Sequence, residues 1–360
     1  MSEDTDPPQA APPTPPILWA ERDPDEGTRR LALGFLDQAA AAKDRICDPD
    51  DAEALHDFRV GLRRLRSTLG TYRDLLGKSV GKKLAKRLKA LADSTGEGRD
   101  AEVALAWIDE VGQADPPPVP SAKPGHRWLR SRLAAVRERA YAEIAQRIVE
   151  GFEPLAERLH ERLSVYRAEV RLDGSSAPRR FGEVAAAELE RLGQRIEKDL
   201  AAIDSAEDEE NSHRARITAK RMRYLLEPFA AESPEARAAA KRLKQLQELL
   251  GELHDAHVLE RTLAEATAEA GAERARRLFD LALSEATPAD LAAARRRPLE
   301  SGLFDLGRRN RGRRDALFAR LAMGWLARSE RSGTPKDLAG LARDLVRAAE
   351  ALATVSNQSG

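Results

Sequence analysis

Residues 86–103 read KRLKALADSTGEGRDAEV, and residues 241–258 read KRLKQLQELLGELHDAHV. The two stretches align without a gap and share ten of eighteen residues, where a biased helical composition would give a few. A second pair stands upstream in the same order: HDFRVGLRRLR at 56–66 aligns with HRARITAKRMR at 213–223. The offsets are 155 and 157 residues. That period is too long for a solenoid unit, so the pattern reads as an internal duplication of a helical bundle.

Composition agrees with helices. Of 360 residues, 33% are charged, 42% apolar and only 4% aromatic, whereas a sandwich or barrel needs more aromatic and β-branched residues. An all-α fold is expected, with helices over 27–46, 52–76, 79–95, 99–113, 126–149 and 153–170. Asp51 is placed to cap the second helix, Gly77 to end it, and Gly96 with Gly98 to separate the third from the fourth. Seven of the twenty prolines fall in 1–24, a segment too polar to offset its ordering entropy. The expected organisation is therefore a disordered, acidic Pro-rich tail at 1–24, a first bundle at 25–172, a second at 173–354 behind the linker 173–178, and a short tail at 355–360. A chain of this length suggests about two domains, each able to bury its own core. Cys47 is the only cysteine, which excludes an internal disulfide and a Cys-based zinc site. Neither a basic leader with an apolar stretch nor an 18-residue apolar run is present, so a cytoplasmic protein without a membrane span is expected.

Sixty Lys and Arg balance sixty Asp and Glu, so any electrostatic function must come from placement. At 100° per residue His56, Arg59, Arg63 and Arg66 share a stripe about 80° wide, beside an apolar face of Leu55, Phe58, Leu62, Leu65 and Leu69. His213, Arg216, Lys220 and Arg223 repeat the stripe, and Ala215, Ala219, Met222 and Leu226 repeat the apolar face. Arg64 and Arg221 are also paired by the alignment. On the following helix Lys82, Lys86, Lys89 and Asp93 are matched by Arg237, Lys241, Lys244 and Glu248. Solvated faces usually interleave signs, yet 56–99 hold twelve Lys and Arg against four acids, and 213–244 hold nine against three. Like charges at i,i+4 cost stability. Recurrence of that cost in both copies points to an anionic partner, while the acids cluster elsewhere, as at 207–210.

The histidines support two uses. One that opens a basic stripe in both copies serves as a cap or packing residue, or it donates to phosphate oxygens. His254 and His257 have the spacing of two metal ligands, but no third ligand accompanies them, and no metal or other cofactor is expected. His126 and His160 suggest nothing further. The Arg-rich region 295–314 would serve any polyanion and equally an ordinary helical surface. No P-loop, GxSxG, GxGxxG or ExExK signature is found, so nothing supports a nucleotide enzyme or hydrolase.

The HxxRVxxRRxR and HxxRIxxKRxRY blocks, each followed by a basic helix and an LGxxxD-type segment, resemble the CHAD family, the conserved histidine α-helical domain, over about 25–350. The resemblance implies two bundles related by a pseudo-two-fold axis, with basic residues of both lining a cleft that binds inorganic polyphosphate and can target the protein to polyphosphate granules. Position by position, His56, Arg59, Arg63, Arg64 and Arg66 match the first motif, and His213, Arg216, Lys220, Arg221 and Arg223 the second. Arg99 and Asp100 fit the family's Arg-Asp pair, from which His254 and Asp255 depart. The expectation is a non-enzymatic polyphosphate binder; a nucleic-acid-binding module and a scaffold for acidic proteins are the alternatives. Nucleic acid is the weaker of these, because base stacking wants aromatics among the cations and only Tyr72 and Tyr224 are near.

Overall fold

The computed structural model describes residues 18–46, 51, 53–114, 117–165, 179–296, 298–326 and 335–354, and among them every regular element is a helix. The first half runs α1 (Pro24–Arg45), α2 (Ala54–Thr71), the single turn α3 (Arg73–Leu76), α4 (Lys82–Ser94), α5 (Gly96–Gly112), α6 (Lys123–Gly151) and α7 (Glu153–Leu163). The second runs α8 (Phe181–Ala201), α9 (Glu209–Leu226), α10 (Pro234–Ala282), α11 (Pro288–Arg295), α12 (Pro298–Gly324) and α13 (Lys336–Thr354). Cys47, the linker 173–178 and the tail 355–360 lie outside the described residues, as do residues 1–17.

Local chemistry sets the ends. Asp51 accepts the N–H groups of Glu53 and Ala54 at 3.1 and 3.0 Å, which otherwise lack helical partners at the start of α2. The expected tail ends earlier than residue 24. Ala20 is buried, the Trp19 ring lies 6.5 Å from that of Phe181, and the Phe181 N–H donates to the Arg22 carbonyl at 2.8 Å. Trp19 and Ala20 therefore belong to the packed bundle.

The duplicated stretches differ in one respect. α10 is a single helix of 49 residues, about 73 Å long at 1.5 Å per residue, whereas the matching part of the first half breaks between α4 and α5 at Thr95. The expected break at the glycines thus falls one residue earlier, and Gly96 already begins α5. The Ser94 and Thr95 hydroxyls donate to the carbonyls of Leu91 and Ala92 at 2.8 and 2.7 Å, competing with the backbone ladder. Leu249 and Leu250, at the same places in the second half, are buried and favour helix.

Packing runs in the same order in both halves: α1 lies on α2 and α7, and α8 on α9 and α13, while α5 lies on α6 and α10 on α12. The halves meet where α2 touches α9, α1 touches α8 and α6 touches α12. The apolar cores do not divide at residue 172. The larger draws Phe58 and Leu62 from α2, Leu189 from α8, Met222 from α9 and Leu246 from α10. The smaller joins Trp107 of α5, Leu129 of α6, Leu263 of α10 and Leu303 of α12. The long helices α6, α10 and α12 each reach both clusters, so the two lengths of chain share their interiors instead of folding around separate ones.

Where α6 crosses α12, Gly125 and Gly302 approach backbone to backbone. A Cβ on Gly302 would collide with the Ala122 carbonyl and with Gly125. Gly302→Ala should therefore destabilise the protein by about 1–3 kcal/mol through overpacking. Gly307→Ala, on the same helix with nothing within 4 Å, should not. Denaturant midpoints of the two variants check this, and an unshifted Gly302→Ala midpoint contradicts it.

Candidate functional site

The contact of α2 with α9 assembles the basic stripes. Their apolar backs are fully buried: Phe58, Leu62 and Leu65 on α2, and Ala215, Ala219, Met222 and Leu226 on α9. This burial fixes the rotation of both helices, and the cations flanking the core are brought side by side. Lys220 is half-buried beside Arg216 and Arg223 of its own helix and Arg63 and Arg66 of α2. Arg59 lies by Arg63 and Arg99, and Arg216 by Arg63. Burial first, and then these guanidiniums, push the Lys220 ammonium down to about 7. No carboxylate pairs with Lys220 among the described residues.

One end of the cation row is closed by two acids. Asp100 on α5 and Asp255 on α10, equivalent in the alignment, lie within reach of one another and of Arg216. Burial raises both carboxyls above their ordinary range, opposed chiefly by Arg59 at Asp100 and by Arg216 at Asp255. With Val103, Trp107, Val258 and Arg313 they line a small cavity between the helices.

The two halves hold their equivalent arginines differently. Arg59 donates to the Thr95 carbonyl at the break between α4 and α5. Arg216 lies over Gly251, whose Cβ position is 3.8 Å from its Nε, and that Nε is buried without a hydrogen-bond partner. A tethered cation thus faces an unsatisfied one.

The other candidate residues divide by use. Arg66 and Lys89 share Asp93, the former at 3.1 Å, and Lys244 lies 3.7 Å from Glu248. Lys82, Lys86, Lys241 and Arg221 are exposed without a carboxylate partner among the described residues. Arg64 is bound to Glu227 at 3.1 Å and lies over the Phe35 ring. Arg237 donates to the Ala230 carbonyl at 2.8 Å, in the connection that precedes α10. His56 is exposed at the head of α2. The His213 ring lies 4.9 Å from that of His254; burial and neighbouring Arg216 push His254 down to about 4 and lower His213 as well, leaving both rings neutral at pH 7. His257 points instead to the Ala206 carbonyl, donating from Nε2 at 2.8 Å. Among the described residues no group of three or more His, Cys, Asp or Glu could hold a metal ion.

Sequence reading left Tyr224 without a role. Its buried ring lies 4.6 Å from the guanidinium carbon of Arg223 and about 6 Å from those of Arg63 and Arg64, and its hydroxyl accepts from Arg63 Nε at 2.6 Å. Tyr72 serves the core, against Phe181. Part of the Arg-rich region is spent within the fold. Arg309 pairs with Asp305 at 3.0 Å, and buried Arg314 with Glu260 at 3.0 Å and with Glu207. Glu209 holds Arg261. The acids at 207–210 thus neutralise cations away from the α2–α9 contact.

The CHAD domain model matches residues 30–264. The chain belongs to the CHAD family. Its fold is similar to that of the CHAD domain of the plant Ricinus communis, with a TM-score of 0.56 at 21% identity, covering 91% of this chain and 92% of that one. Two relatives from strains of Mycobacterium tuberculosis, Uncharacterized protein Rv2226 and Uncharacterized protein MT2285, are 30% and 29% identical over 292 residues. These matches cover 76% of this chain, which spans about half the length of the curated relatives, 52% in each case. In this CHAD domain no helix among the described residues is long and apolar enough to cross a membrane.

The Lys220 environment has a consequence for pH. Folded, this lysine releases its proton near pH 7, whereas an unfolded lysine holds it to about 10.4. Between those values the unfolded state binds more protons, so stability rises with pH. The thermal midpoint of the free wild-type domain should climb from pH 6.5 to pH 9 relative to Lys220→Met. Parallel profiles for the two proteins would contradict the assignment.

Proposed function

We propose that the α2–α9 contact is a binding site for a linear polyanion, inorganic polyphosphate, gripped by cations of both halves without chemical turnover. The observation that carries this is Lys220, beside Arg63, Arg66, Arg216 and Arg223 and itself paired with no carboxylate among the described residues. A phosphate chain supplies that charge along its whole length. Arginine forks bond phosphate oxygens bidentately, and lysine adds a mobile point charge. From Arg59 to Arg66 α2 rises about 10 Å, enough to meet several successive phosphates. Exposed Lys82, Lys86 and Lys241 extend the positive field along α4 and α10. Asp100 and Asp255 lie near Arg59 and Arg216 at the closed end. In a cell such a protein would sit in the cytoplasm and gather on polyphosphate granules.

Nucleic acid presents the same phosphate charge, but of the two tyrosines near these cations Tyr224 is buried and Tyr141, beside Arg59 and Arg99, is half-buried, a small provision for stacking successive bases. Long-chain polyphosphate should therefore bind more tightly than single- or double-stranded DNA of equal charge at one stated salt concentration. Arg216→Gln should weaken polyphosphate binding about tenfold or more, as expected for one charge-assisted contact. It should also reduce the magnitude of the log–log salt slope by roughly 0.7–0.9. Phosphate release from polyphosphate or ATP with magnesium should be absent. Tighter DNA binding, or turnover that an Arg216→Gln variant loses, would overturn the proposal.

A further inference from the structure

A row of flexible cations does not by itself make a site. Each arginine that must be ordered on contact subtracts conformational entropy from affinity, so a side chain already held in its binding geometry contributes more. The α2–α9 contact contains one group able to do this for both halves. Tyr224 is buried to 2% exposure, and its hydroxyl accepts the Arg63 Nε–H from across the contact at 2.6 Å. Its ring is 4.6 Å from the Arg223 guanidinium of its own helix, close enough for cation–π attraction. Glu227 reinforces the arrangement, since its carboxylate takes Arg64 of α2 at 3.1 Å and Arg223 of α9.

The duplication makes this one-sided. At the 157-residue offset, the place of Tyr224 in the first half is held by Ser67, whose hydroxyl is buried without a partner and is too short to span the contact. A single ring therefore serves cations from both copies. Bonding at Nε leaves the outer Nη edge of Arg63 available, the edge with which a guanidinium forks onto phosphate.

We propose that Tyr224 is a positioning residue of the polyanion site, fixing Arg63 of the first half against Arg223 of the second so that both meet the ligand already aligned. This rests on the polyanion reading of the α2–α9 contact.

The test is Tyr224→Phe, which keeps the ring and removes only the hydroxyl, studied alongside Arg63→Gln and the double variant. Long-chain polyphosphate should bind Tyr224→Phe roughly three- to tenfold more weakly, the range of one hydrogen bond, with an unchanged circular dichroism spectrum. In the Arg63→Gln background the same change should cost less than about twofold, because the bond it removes is already gone. The Arg63 Nε–H resonance should be protected in the free wild-type protein and lost in Tyr224→Phe. Equal affinity of wild type and Tyr224→Phe, or a full-sized effect in the Arg63→Gln background, would overturn the proposal. Failure of the polyanion reading would show separately, as wild-type protein that binds no polyphosphate. In that case the Nε–H resonance still decides whether Tyr224 fixes Arg63.

Discussion

Repulsion among the cations between α2 and α9 is the constraint around which the rest of the molecule is arranged. Two like charges 7 Å apart repel by roughly 2 kcal/mol at an effective dielectric constant of ~20, and Lys220 has four guanidiniums around it. The helices stay together because their opposite sides are apolar and closed. Phe58, Leu62 and Leu65 on one, and Met222 and Leu226 on the other, are inaccessible to solvent, and each such side chain stabilises by about 1.5–3 kcal/mol. Repulsion is thus held in a frame secured from behind, and part of it is relieved by keeping Lys220 poised to lose its proton. An anionic ligand would remove the remainder.

The frame is only approximately symmetric, and the departures have local causes. Ser94 and Thr95 interrupt the first copy of a helix that Leu249 and Leu250 carry through in the second. Arg59 is tethered to the Thr95 carbonyl at the interruption, while Arg216 rests over continuous helix at Gly251 with an unsatisfied Nε. Lysine replaces arginine at 220, and histidine replaces arginine at 254.

Much of this was legible in the sequence. The repeat, the 3.6-residue spacing of the apolar faces and the sign bias of the stripes located α2, α9 and the cations that share their contact. Three things were not. Stripe geometry treats every arginine on a helix as equivalent, yet Arg64 is absorbed by Glu227 and Phe35, and Arg237 by a backbone carbonyl. Those partners lie on other elements or on the main chain, and no spacing rule contains them. Tyr224 carries no signature of its contact in its own helix, because its partner Arg63 is 161 residues away. The interior was read as two cores because a repeat suggests two bodies, whereas α10 spans both core clusters. α6 and α12 reach both clusters as well, α6 through Leu129 and Ile144 and α12 through Leu303 and Leu317, and no repeat in the sequence shows how far a helix will run across the two.

Whether the two stripes form one site is the central question, and calorimetry decides it directly. Short-chain polyphosphate would be titrated into wild-type protein, into Arg59→Gln/Arg63→Gln and into Arg216→Gln/Lys220→Gln, with circular dichroism confirming that the helices survive. If the stripes enclose a single chain, both double variants lose affinity while the stoichiometry stays that of the wild type. Two independent sites would instead show as half the wild-type stoichiometry with unchanged affinity at the site that remains, and that result would contradict a shared cleft.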